Sequence, residues 1–163
     1  MFGRAYLEID SKRLKEEESA TFIQEGIKQL NKNLSFEELQ ETIENLDGVI
    51  GWLTNYGWLR YKGLSHKSAL IKTKEEGKEM VRRELNSFLQ NRKAKEKYLQ
   101  VLKTVAKGNE TWNAIKLAMR KEKAKFSDSQ LNSYLIELLD YGFLEKTEGK
   151  YYLSDPITLS AVR

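Results

Sequence analysis

The stretch SDSQLNSYLIELLDYGFLEKTEGKYYLSD, residues 127–155, decides the fold. Ser127 and Gln130 have capping-box spacing, in which the serine oxygen and the glutamine side chain each satisfy an amide left unpaired at a helix start. From there Leu131, Tyr134, Leu135, Leu138 and Leu139 recur at helical spacing and mark a core face. Gly142 stops the helix. Phe143–Lys146 and Lys150–Leu153 then read as two short strands around Glu148 and Gly149, a β-hairpin.

Working back from Ser127, Arg120 to Lys125 form a basic loop. Before it, Thr111 can cap a helix carrying Trp112, Ile115 and Met119. Earlier still, Tyr98, Leu99, Val101, Leu102 and Val105 form a helix that ends at Gly108. Three helices followed by a hairpin make a winged helix-turn-helix, placed over residues 96–163.

The first part of the chain is also mainly helical. Residues 3 to 9 alternate Ala5, Leu7 and Ile9 with polar neighbours and read as one strand. Ala20, Ile23, Ile27 and Leu30 define a helix from Glu16 to Leu30, and Glu16, Glu17 and Glu18 suit its N-terminus. Ser35 and Glu38 give a second capping box, opening Phe36–Leu46, which Asp47 and Gly48 close. In GVIGWLTNYGWLRYKG, residues 48–63, Trp52, Leu53, Tyr56 and Leu59 share one face and suggest an aromatic core helix. A long amphipathic helix from Ser65 to about Gln90 follows, with Leu70, Met80, Val81, Leu85, Phe88 and Leu89 on its apolar side. Any break in it is placed near Gly77. The fold class is therefore mainly α: a helical bundle over residues 10–95, then the winged helix.

Composition narrows the function. With 163 residues, no cysteine and one histidine, the chain has no thiolate zinc site, no cysteine nucleophile and no multi-histidine metal site. No run of about 18 apolar residues occurs, so no membrane span is expected, and a reducing, cytoplasmic setting fits. The charge of +4 is uneven. Residues 1–64 carry a net −3, residues 65–125 a net +10 and residues 126–163 a net −3. A basic middle favours acidic partners, nucleic acid above all, although a solvated helical surface has the same composition. The phosphate-cradling G-x-x-x-x-G-K-[ST] pattern is missing, since GLSHKS at 63–68 lacks the second glycine. Carboxylates fall at exposed helical spacings without an apolar pocket, and His66 reads as a solvent-exposed imidazole in a polar loop.

A winged helix normally sets its third helix in the major groove while flanking groups hold phosphates. Here the outward face of that helix is Ser129, Asn132, Ser133, Ile136 and Glu137. The serines and Asn132 can hydrogen-bond base edges, whereas Glu137 repels phosphate. Phosphate contacts are assigned to Lys116, Arg120, Lys121, Lys123 and Lys125, with Lys146 and Lys150 on the wing. Six engaged cations would give a salt slope of about −5. Use of the winged helix for protein contact is the alternative.

These residues resemble the C-terminal half of archaeal AAA+-related ATPases of the STAND type. In that family a strand with a Gly-Arg pair leads into a helical lid and then a winged helix. Gly3-Arg4 is similar to that pair, and Phe22–Leu30 to the first lid helix. LDGVIGWLTNYG, residues 46–57, is similar to the family's leucine-aspartate-glycine, proline, glycine-tryptophan-leucine segment, with Ile50 in the place of the proline. LLDYGFLEKTEGKYYLSDPITLSAVR, residues 138–163, resembles the wing and closing Asp-Pro segment. The resemblance implies a remnant core strand over 1–9, a lid over 10–95 and a winged helix over 96–163. It implies ATP as the cofactor of the intact family, with its P-loop lying before Met1, so that no ATP hydrolysis is expected of this chain alone. It places Gly48, Val49, Ile50, Gly51 and Arg4 on the adenine side. The expected function is a regulatory, DNA-binding module of an ATPase, with double-stranded DNA and an ATPase core as partners. The alternative is a protein-interaction or self-association module, suggested by Ile136, the acidic third helix and the aromatic segment.

Overall fold

Local capping chemistry sets most element boundaries. The computed structural model describes residues 13–163, so the expected strand over residues 3 to 9, with Arg4, lies outside the described residues. Helix α1 (Glu16–Lys28) starts on three glutamates at the positive end of its dipole. Helix α2 (Phe36–Leu46) starts on the expected capping box: Ser35 Oγ accepts from the Glu38 N–H at 3.2 Å, and Glu38 Oε2 accepts from the Ser35 N–H at 3.1 Å. Asp47 and Gly48 both turn left-handed and end it, with φ of 47° and 66°. Helix α3 (Ile50–Tyr61) buries Leu53, Tyr56 and Leu59, leaves Trp52 half-buried and exposes Trp58 and Tyr61.

Helix α4 (His66–Gln90) is continuous and has no break at Gly77. That glycine serves close packing instead. A Cβ there would stand 3.0 Å from both Cδ1 and Cγ2 of Ile157 and 3.3 Å from Trp52 Cζ3. Met80, expected on the apolar side, is half-exposed because the buried face runs through Thr73, Gly77 and Val81.

The winged helix comprises α5 (Lys95–Ala106), α6 (Trp112–Lys121), α7 (Asp128–Asp140), β1 (Leu144–Thr147) and β2 (Lys150–Leu153). The strands pair antiparallel, Leu144 with Leu153 and Thr147 with Lys150. Between them Glu148 and Gly149 take φ of 51° and 77°, the positive values a two-residue hairpin turn demands. Tyr151 N–H donates to Glu110 O at 2.7 Å and Thr111 bridges to Lys150, so the hairpin is tied to the chain ahead of α6.

A final helix, α8 (Pro156–Val162), was not expected from the sequence. Asp155 Oδ1 caps it, accepting from the N–H groups of Ile157 at 2.8 Å and Thr158 at 2.9 Å. Buried apolar side chains form two clusters. One centres on Ile27, Leu46, Leu53 and Tyr56, the other on Leu102, Ile115, Leu135 and Leu138. Helix α4 runs through both, and α8 gives Ile157 to the first and Val162 to the second.

Candidate nucleic-acid interface

The turn between α6 and α7 collects the basic residues predicted to face phosphate, and their partners divide them. Lys116 Nζ lies 2.7 Å from Asp128 Oδ2 and sits over the Trp112 ring. Arg120 Nη2 reaches the other oxygen of Asp128 at 3.5 Å. Both cations thus share the one carboxylate of the first residue of α7. On the wing, Lys150 Nζ lies 3.3 Å from Glu110 Oε2, and that hydrogen bond holds its ammonium pKa above the ordinary lysine value. Lys146 lies over the Tyr151 ring at 5.0 Å. Lys121, Lys123 and Lys125 are exposed, and among the described residues no carboxylate pairs with them.

Lys123 has a further distinction. Its φ is 61°, its N–H bonds Arg120 O at 2.9 Å, and the Ala124 N–H bonds Met119 O at 3.1 Å. This is a Schellman closure, whose left-handed position glycine usually fills. A lysine held there costs about 1 kcal/mol relative to glycine and projects from the turn.

Side chains on the face of α7 predicted to read bases are exposed and also bond within the fold. Trp112 Nε1 donates to Asn132 Oδ1 at 2.7 Å, Ser129 Oγ pairs with Ser127 Oγ at 2.9 Å, and Ser133 Oγ donates to Ser129 O at 3.1 Å. Glu137 is half-buried rather than free, because Arg92 Nε donates to its Oε2 at 2.9 Å. Burial pushes the Glu137 pKa up, but the Arg92 hydrogen bond and charge outweigh that and leave it below the usual glutamate value. Ile136 is 56% exposed.

The turn at Gly48, Val49, Ile50 and Gly51 is separate from this face. Gly48 is buried against the entering chain: Leu14 N–H donates to Gly48 O at 3.0 Å, and a Cβ on Gly48 would stand 2.1 Å from Leu14 O. Val49 and Gly51 instead border a groove with Trp52, Asn55, Gly77 and Met80, where Glu76 and Glu84 also lie.

His66 corrects the sequence reading. It is 5% exposed, with Tyr56 Oη 2.9 Å from Nδ1 and Glu41 Oε2 2.9 Å from Nε2. Ser65 caps α4 one residue earlier, so His66 is the first residue of the helix and turns inward between α2 and α3. With the proton on Nε2 both contacts are satisfied, which makes His66 a polar tie within the bundle. Nothing local in GLSHKS signals those partners, which come from positions 10 and 25 residues away.

The order of α5, α6, α7 and hairpin, with the basic turn between α6 and α7, agrees with sequence comparison. Residues 92–154 match the family model of the MCM protein C-terminal winged helix-turn-helix domain. This part of the chain is a winged-helix domain. Over nearly its whole length, winged helix included, the fold is similar to that of a Walker-type ATPase of Pyrococcus abyssi. The TM-score is 0.80 at 25% sequence identity, over 93% of this chain and 42% of that one. The likeness is to the C-terminal region of that ATPase. No curated protein matches the sequence significantly. Among the described residues no helix is long and apolar enough to cross a membrane.

Proposed function

We propose that this chain is the regulatory, DNA-binding module of a Walker-type ATPase, and that it grips duplex phosphates through the turn between α6 and α7. The observation that carries this reading is the division among the cations. Lys121, Lys123 and Lys125 stand without a carboxylate at the turn, while Lys116, Arg120 and Lys150 are paired within the fold. Such contacts position a duplex and tolerate any sequence. The internal hydrogen bonds of Asn132, Ser129 and Ser133 argue against base readout by α7. Titration of labelled duplex DNA against the wild type and a Lys121→Ala/Lys123→Ala/Lys125→Ala variant tests this. The variant should lose most of the affinity; equal affinities would refute the assignment.

A second reading, a protein-contact surface, is favoured by Leu117 and Ile136, exposed at 60% and 56% on α6 and α7. Sedimentation across a concentration series separates the two, because a monomer at all concentrations counts against self-association.

A further inference from the structure

The end of α3 carries an aromatic group that the winged-helix reading does not use. Trp58 and Tyr61 are 53% and 61% exposed and stack on one another, ring centroids 5.3 Å apart and planes 21° from parallel. Lys62 Nζ lies 4.6 Å from the centre of the Trp58 ring. Two large rings left in water on a helix whose opposite face is fully packed are not accounted for by the core. Two exposed cations follow in the chain, Lys62 at the ring and Lys67 on the first turn of α4, whereas Arg60 is buried, Lys72 pairs with Glu76 at 3.8 Å and Lys74 donates to Asn45 Oδ1.

Stacked, solvent-facing aromatics with a cation at the ring are what an unpaired nucleic-acid strand needs. Every base has a π-face for the rings, and the phosphates follow the positive charge. We infer that Trp58 and Tyr61 form a stacking platform for an unpaired base of single-stranded nucleic acid, with Lys62 holding its phosphate. The ammonium over the indole is exchangeable, since a cation at an exposed ring is held weakly. A base arriving on the stack frees Lys62 for phosphate. An acidic protein surface would satisfy the cations but leaves the parallel rings without a flat partner. This site is distinct from the duplex contacts proposed above and does not depend on them.

The test uses labelled oligo-dT and oligo-rU of equal length, and a duplex of mixed sequence, each titrated at about 50 mM salt, where phosphate contacts are strong. Wild type should bind both single strands, and Trp58→Ala/Tyr61→Ala should weaken that binding about fivefold to a hundredfold. Its duplex affinity should change less than twofold. Trp58→Phe/Tyr61→Phe keeps the rings and should retain most single-strand binding. Because both side chains are exposed, the melting temperature of each variant should stay near that of wild type, and this is measured alongside. Binding of dT but not rU, or the reverse, still supports the platform and identifies its strand. No single-strand binding by wild type, or equal affinity in the alanine variant, overturns it. Loss of duplex binding in the Lys121, Lys123 and Lys125 variant reports on the other reading alone.

Discussion

Replacing Gly77 by alanine sets two effects of known size against each other. In the interior of a long helix, alanine is favoured over glycine by about 1 kcal/mol. At position 77 the added methyl would lie 3.0 Å from Cδ1 and Cγ2 of Ile157 and 3.3 Å from Trp52 Cζ3. Ile157 is 1% exposed and branched at Cβ, so it has little freedom to retreat. Overpacking of this kind costs about 1–3 kcal/mol, which leaves Gly77→Ala net destabilising by roughly 0–2 kcal/mol. The sign should reverse once the obstacle is gone. Ile157→Ala alone should cost about 2–5 kcal/mol, but Gly77→Ala in that background should be stabilising by up to about 1 kcal/mol, with Trp52 Cζ3 at 3.3 Å as the remaining close contact. Urea unfolding of the four proteins gives the coupling, expected at about 1–3 kcal/mol and favourable in the double variant. If Gly77→Ala stabilises the wild type by the full helix-propensity gain, α8 does not lie against α4 as described.

Lys123→Gly should raise stability by about 1 kcal/mol by relieving the left-handed lysine, while weakening duplex binding; a loss of stability would contradict the Schellman closure. Leu135→Ala should cost about 2–5 kcal/mol because its side chain is buried in the winged-helix cluster, whereas Lys123→Ala should leave the melting temperature nearly unchanged. Equal melting temperatures for that pair would invert the inside and outside of the domain. Glu137, whose pKa is held below the usual value of about 4.3, contributes stability that is fully present above that value and is lost as pH falls through the folded-state pKa. The drop in melting temperature between pH 7 and pH 4 should therefore be smaller in Glu137→Gln than in wild type, and an equal or larger drop would show that the Arg92 pair is not formed.

Where a boundary is written in adjacent residues, the sequence announced it. Ser35 with Glu38 and Ser127 with Gln130 start α2 and α7 where expected, and Glu148-Gly149 sets the hairpin turn. These signals act within three residues and survive any tertiary context. The features that escaped depend on partners far away in sequence. Lys116, Arg120 and Lys150 look as free as Lys121 until the fold brings Asp128 and Glu110 to them. His66 is polar and flanked by polar residues, so only α2 and α3 packing over it could show its burial. Helix α8 is only seven residues long, too short for periodicity, although Asp155 followed by proline is a start signal that could have been read. Gly77 was only the place for any break in α4, because sequence alone does not show what packs against a missing side chain.

The most direct test of the central claim is the salt dependence of duplex DNA binding, measured by fluorescence anisotropy of the whole chain from about 50 to 200 mM salt. With the three unpaired turn lysines engaged, log affinity should fall against log salt with a slope of about −2.7, against about −5.4 if six cations took part. The Lys121, Lys123 and Lys125 triple alanine variant should bring the slope close to zero. A wild-type slope near zero, or one that the triple variant leaves unchanged, would contradict the account.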